Sequence, residues 1–243
     1  MHHVLVTGSA GAVGRPTCAE LIRRGHHVRG FDLRPTLQVE DAVIGEIGDR
    51  AAVLQAAQGM DTIVHFAAVT DDTDFPDLVG PNVLGLFHVM DAARKAGTKR
   101  VVLASSVQAA SGGKAREVMR TVQDASPNNH YGLTKVWAEQ MGEMYARRFG
   151  LSVLAVRIGW VVRYPETDLR GRSRSATVPV YLSYGDAGRF FAQAVEVQDI
   201  GFAVVYAVGR GGLARFDMQP ARCIVGFEPE DSWPEGLPLD LLQ

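Results

Sequence analysis

The stretch "VTGSAGAVGR", Val6 to Arg15, follows the apolar run Val4-Leu5-Val6 and carries Gly8, Gly11 and Gly14 at three-residue spacing. An apolar run, a glycine-rich turn and then a helical pattern read as strand, loop and helix. Each glycine has its own task there. Gly8 permits the tight turn, Gly11 lets backbone approach a pyrophosphate, and Gly14 lets the helix pack closely on the strand. The amides of Ala12, Val13 and Gly14 then open a helix N-terminus towards the phosphates. The spacing is GxxGxxG rather than GxGxxG, so the loop needs support from the rest of the chain.

That support comes from the rhythm that follows. Apolar, β-branched runs at His3–Thr7, His27–Phe31, Thr62–Phe66, Arg100–Ala104 and Ser152–Arg157 alternate with helical patterns. The helical patterns cover Ala12–Arg24, Arg50–Gln58, Pro81–Ala96 and Tyr131–Phe149. Strands separated by amphipathic helices form βαβ units, which build a parallel sheet covered on both faces. Gly25, Gly59, Gly97 and Gly150 each stand just past a helical pattern, where a left-handed C-cap favours glycine. Beyond Arg157 the rhythm breaks: Arg163–Pro179 is Arg-rich and irregular, Asp186–Val197 reads as a helix, and Ala203–Val208 as a strand. The stretch from Gly226, with Pro229, Pro234 and Pro238, reads as a surface tail. The expected fold is α/β, a doubly wound parallel sheet. Residues 1–159 would form the dinucleotide-binding core, and 160–243 a small substrate-binding region and tail within the same compact domain.

Composition narrows the function classes. The chain has 243 residues, 47% apolar and 21% charged, with a formal net charge of −2. That balance makes no electrostatic case for nucleic acid or an anionic membrane. No apolar run approaches the ~20 residues that span a bilayer. The two cysteines, Cys18 and Cys223, make no disulfide scaffold and lack metal-ligand spacing, so a reducing cytoplasm is expected and no metal. "DDTD", Asp71–Asp74, reads as helix capping and a solvated segment rather than a metal site, and His65, ending a strand, as structural.

Asp32 closes the second strand, 18 residues after Gly14. A carboxylate there accepts from both ribose hydroxyls and repels a 2′-phosphate, which favours NAD over NADP. Arg34, two residues on, tempers that preference. Asp49 has two compatible readings, an adenine contact and an N-cap for the helix starting at Arg50. In "YGLTK", Tyr131 and Lys135 stand at i and i+4 and project from one helical face. An ammonium near a phenol lowers the phenol's pKa from about 10 towards neutrality, which makes Tyr131 a usable proton acceptor. The strand ending "ASSV" presents Ser105 and Ser106 at its carboxyl end, where a hydroxyl can hold a substrate oxygen.

With these motifs the chain resembles the extended short-chain dehydrogenases/reductases, the NAD-dependent epimerases and dehydratases. The matching residues are "TGSAGAVG", Asp32, Asp49, "VHFAA" (His65 to Ala68), Asn82, "ASSV", "YGLTK" and "VRIG" (Val156 to Gly159). The resemblance implies a Rossmann-type fold with Tyr131 as base, Lys135 as its activator and ribose anchor, and Ser106 as donor to the substrate oxygen. It places Ala67, Ala68 and Ile158 against the cofactor and Asn82 as a brace near Lys135. The helices Pro81–Ala96 and Tyr131–Phe149 often pair across dimers in this family, so a homo-oligomer is expected.

Only 84 residues (243 − 159) follow Gly159, which suits a small substrate better than a nucleotide sugar. Within the family the chain looks most like uronate dehydrogenases, through "HFAAVTDDTDF", "NVLGLFHVMDAARKAG" and "YLSYGDAGRFFAQAVE" followed by "VVYAVG". Those enzymes oxidise the anomeric carbon of a hexuronic acid with NAD. The resemblance places Thr70 at a substrate-contacting serine, and Arg174 or Arg172 at a carboxylate-binding arginine. It also marks departures: Val107 and Gln108 stand where the family has Asn and His, and Trp160 where it has serine. The expected substrate contacts are thus Thr70, Ser106, Val107, Gln108, Trp160 and Arg174. Two other classes stay open: a reductase or epimerase of another small carbonyl compound, and a regulator that senses NAD(P) without catalysis.

Overall fold

The structure is a computed structural model that describes residues 1–70, 73–112, 118–119, 125–163, 177–198 and 200–235. Seven strands form one sheet: β1 (His3–Thr7), β2 (His27–Asp32), β3 (Asp41–Ile44), β4 (Thr62–His65), β5 (Arg100–Ser106), β6 (Ser152–Ile158) and β7 (Phe202–Ala207). Their order is β3-β2-β1-β4-β5-β6-β7, and every pairing is parallel. The chain builds outward from β1 to β3, then returns to lay β4 on the other side of β1. That reversal leaves a crevice at the carboxyl ends of β1 and β4.

The helices are α1 (Gly14–Arg23), α2 (Arg50–Ala57), α3 (Phe75–Leu78), α4 (Leu86–Ala96), α5 (His130–Phe149) and α6 (Tyr184–Glu196). Successive side chains of a strand point to opposite faces, so β1 feeds two cores at once. Val4 and Val6 pack with Cys18 and Leu21 of α1 and Phe190 and Phe191 of α6. Leu5 packs on the other face, with α2, α4 and α5. Gly97 and Gly150 close α4 and α5 in the left-handed region, at φ 73° and 69°, as expected of C-caps.

Three sequence expectations need correction. β3 goes unanticipated because it is a four-residue edge strand with only alternate residues shielded. The helix expected from Pro81 begins at Phe75 and widens into a π-helical stretch over Val79–Gly85 before α4. Pro81 lies inside that stretch; it has no N–H to give, and the wider turn accommodates it. The stretch from Gly226 is not a surface tail over 227–235. Phe227 is buried against Phe190, and buried Asp186 accepts from the Glu230 and Asp231 amides at 2.9 and 3.0 Å. The strand expected at Ala203–Val208, by contrast, is β7, which pairs with β6 along its whole length. Asp74 occupies the N-cap of α3 without a side-chain cap bond, while Thr73 donates to Asp77; Asp71 and Asp72 lie outside the described residues.

Candidate active site

The cleft over the carboxyl ends of the strands has a volume of about 1090 Å³. Its cofactor half is built by the glycine loop. Gly8 has φ 71°, and a Cβ there would lie 2.7 Å from the Ala67 amide nitrogen, so β1 and β4 meet only because the side chain is absent. At Gly14 a Cβ would lie 2.1 Å from the Gly8 carbonyl oxygen. A Cβ at Gly11 would meet nothing but that same oxygen, at 3.2 Å, and would otherwise fill the cradle. In the first turn of α1 the Arg15 amide is taken by the Gly11 carbonyl at 3.0 Å and Pro16 has no N–H, which leaves the amides of Val13 and Gly14 for an anion. Asp32 lines the same wall. Its two oxygens accept from the Ala10 and Arg34 amides, each at 3.0 Å, which orients the carboxylate and leaves lone pairs for ribose hydroxyls. These features fit a dinucleotide.

The chemical half lies where β5 and α5 converge. Ser106, the last residue of β5, accepts from the Gln108 amide at 3.2 Å, which leaves its own proton to donate. Tyr131 and Lys135 both face the cleft from α5, and the Lys135 Nζ sits 5.3 Å from the centre of the Tyr131 ring. Burial lowers the Lys135 pKa to about 8, so the ammonium is largely kept at neutral pH but with little solvent around it. His65 lies beneath. It shares a hydrogen bond with Thr7 Oγ1 at 2.7 Å, and burial, with the Lys135 charge, pushes it down to about 3, so the ring is neutral.

The strand end and the helix are joined behind the cleft by buried polar groups. Ser105 donates to Glu139 Oε1 at 2.5 Å, and Arg157 of β6 donates to both Glu139 oxygens at 2.8 Å. Arg157 also donates to the Tyr206 hydroxyl at 3.2 Å. Both serines line the cleft, but the Ser105 proton is committed to the framework and that of Ser106 is not. At the start of α5, Asn129 caps the helix by accepting from Gly132 and donates to Gln108 Oε1 at 2.5 Å.

Most of the anticipated residues line this one cleft: Gly8, Gly11, Ala12, Val13, Gly14, Asp32, Ala67, Ala68, Ile158, Thr70, Ser106, Val107, Gln108, Trp160, Tyr131 and Lys135. Asp49 does not. It caps α2 by accepting from the Ala51 and Ala52 amides, and the wall beside it is Gly45 to Gly48. Asn82 also stands behind the wall. It exchanges two hydrogen bonds with the Val69 backbone and donates to Thr134, so it braces the residue next to Lys135 rather than Lys135 itself. Gln108 faces the cleft with its carbonyl oxygen already taken by Asn129. Arg172 and Arg174 lie outside the described residues.

Sequence reasoning missed the far wall of the substrate half, made by Met119, Val180, Arg215 and Phe216. These residues follow no motif; they reach the cleft because Met119 and Phe216 form a β-bridge far apart in sequence. The adenine side is partly legible in the sequence, since Asp49 directly follows Gly45 to Gly48, which line the cleft.

A glycine cradle, a strand-end carboxylate and a Ser/Tyr/Lys grouping in a Rossmann-type sheet define a class, the dinucleotide-dependent oxidoreductases. The model of the NAD dependent epimerase/dehydratase family matches residues 4–168. A uronate dehydrogenase of Pseudomonas syringae pv. tomato is 30% identical over 235 residues, covering 95% of this chain and 82% of the relative. An L-arabinose 1-dehydrogenase (NAD(P)(+)) of Haloferax volcanii is 30% identical over 220 residues, covering 81% and 83%. The crystal structure of a uronate dehydrogenase mutant from Agrobacterium tumefaciens, complexed with NAD, superposes with a TM-score of 0.81 at 27% identity, covering 95% of this chain and 85% of that one. The chain belongs to the NAD-dependent epimerase/dehydratase family and is an NAD-dependent dehydrogenase.

Proposed function

We propose that the protein oxidises the anomeric carbon of a hexuronic acid, giving the aldarolactone, with Ser106, Tyr131 and Lys135 as its catalytic residues. The observation that carries the chemistry is the Lys135 ammonium held 5.3 Å from the Tyr131 ring in a shared cleft with Ser106. NAD, when bound, supplies the hydride acceptor. The glycine loop and the α1 N-terminus would hold its pyrophosphate, Asp32 the adenosine ribose and Lys135 the nicotinamide ribose. Ser106 Oγ donates to the anomeric oxygen and fixes its position. Tyr131 Oη, deprotonated beside Lys135, removes the hydroxyl proton as the carbonyl forms. Lys135 favours the phenolate because it is buried, where its charge is weakly screened.

The substrate assignment rests on the uronate dehydrogenases among the similar proteins. A second reading, oxidation of a neutral aldose, is favoured by the apolar wall of Val107, Trp160 and Phe216 and by the similarity to an arabinose dehydrogenase. Leu84, Phe87, Leu133 and Trp137 are exposed on the π-helical stretch, α4 and α5, which supports pairing with a second copy. No helix among the described residues is long and apolar enough to cross a membrane; the expected setting is the cytoplasm. The test is a panel of uronic acids and aldoses with NAD, followed by the absorbance of the reduced cofactor. Tyr131→Phe is expected to abolish turnover with NAD affinity nearly unchanged; a variant retaining most of the activity overturns the mechanism.

A further inference from the structure

The acids around the cleft are confined to one side, where Arg34 stands beside them. Among its described lining residues the only acids are Asp32 and Glu46, both on the side of β2 and β3 where the glycine loop lies. On the other side stand Lys135, Arg163 and Arg215, with no acid between them. Two of these cations have work already. Lys135 lies against Tyr131, and Arg163 donates to Thr70 at 3.4 Å.

Arg215 is different. Its Nε is buried and has no hydrogen-bond partner. Its guanidinium takes part in no ion pair among the described residues and rests only near the Phe216 ring, at 6.0 Å. The adjacent acid does not neutralise it, because Asp217 turns to cap the Gln219 amide. The backbone beneath is fixed on both sides: the Arg215 amide donates to Gly212, and its carbonyl accepts from Met119 at 2.8 Å. A permanently charged, planar fork on a held backbone, beside Met119 and Phe216, is preorganised for a carboxylate. The apolar surroundings strengthen the attraction.

We infer that Arg215 binds the carboxylate of the substrate, and so selects a sugar acid over the neutral sugar. The inference rests on the uronate reading above. It places the acid's recognition on the segment after β7.

The test measures D-glucuronate binding to NADH-loaded protein by calorimetry, and turnover of D-galacturonate and D-galactose with NAD, for the unmodified chain, Arg215→Gln and Arg215→Lys. Losing a charge-assisted pair is expected to weaken glucuronate binding and raise the galacturonate KM by about ten- to a hundredfold in Arg215→Gln. The expected kcat changes less than about twofold, because the group is remote from the reacting carbon. Galactose kcat/KM falls far less than that of galacturonate, and Arg215→Lys recovers part of the galacturonate loss. Glucuronate binding that is equal in Arg215→Gln and the unmodified protein, or absent from both, overturns the inference, as does an equal loss on galactose. Undiminished galacturonate oxidation by Arg215→Gln removes Arg215 while leaving the uronate reading intact. Arg215-dependent glucuronate binding by a protein that oxidises only galactose does the reverse.

Discussion

Changing Glu139 to Gln removes one charge from the least exposed ion pair among the described residues and leaves the side-chain volume almost unchanged. Glu139 and Arg157 are 3% and 2% exposed, and both carboxylate oxygens accept from the guanidinium at 2.8 Å. Arginine cannot shed its proton in a protein, so Arg157 would keep its charge with no counterion. One oxygen would also become an amide that points a donor at a donor. Breaking a buried pair on one side costs about 3–5 kcal/mol. For a domain of this size each kcal/mol moves Tm by roughly 2–4 °C, so the expected fall is about 6–20 °C. Thermal unfolding followed by circular dichroism reads this, and a lower urea midpoint at unchanged m-value supports it. The double variant Glu139→Met/Arg157→Leu should be more stable than Glu139→Gln, because an apolar pair leaves no buried charge. A Tm fall below about 3 °C for Glu139→Gln, or strictly additive losses in the double variant, would refute the reasoning.

Three further outcomes are expected. Asp32→Ala should narrow the preference for NAD over NADP by about 1–2 kcal/mol in titrations of both cofactors; tighter NADP binding by the unmodified protein contradicts the assignment. Gly14→Ala should destabilise the fold by about 1–3 kcal/mol, since its Cβ would lie 2.1 Å from a carbonyl oxygen. Gly11→Ala should instead spare Tm and weaken NAD, since its Cβ enters the cradle; equal Tm losses in both would argue against this division. Lys135 titrates near 8 when folded against an ordinary 10.5. The unfolded chain therefore holds the extra proton between those values, and stability should rise with pH across that window, by up to about 3 kcal/mol. Lys135→Met should lose that rise in urea titrations at pH 8 and 10.5, and a rise that survives the substitution belongs to other groups.

Local chemistry and periodicity carried much of this protein in its sequence. Glycines at 8, 11 and 14, an acid ending the second strand, and an i, i+4 Tyr–Lys pair each act through neighbours on the same element. Their consequences could therefore be read without the fold, and the structure places Gly8, Asp32, Ser106, Tyr131 and Lys135 around one cleft. Only the tertiary structure decided which polar groups are spent inside. Ser105 and Ser106 are equivalent in sequence and both line the cleft, but the Ser105 hydroxyl is spent on Glu139 while the Ser106 hydroxyl only accepts, from Gln108. Glu139 reads as a surface residue of a long helix until Arg157, 18 positions away, is laid against it by the β5–β6 pairing. Asn82 and Asp49 stand out in the sequence, yet only the fold shows what they hold: Asn82 braces the Val69 backbone, and one Asp49 oxygen caps α2. Arg215 carried no motif at all. It matters because chain closure through Met119 and Phe216 brings it to the cleft while leaving its charge without a partner among the described residues. Such a balance of burial and missing counterions is a property of contacts between distant segments, and no spacing along the chain encodes it.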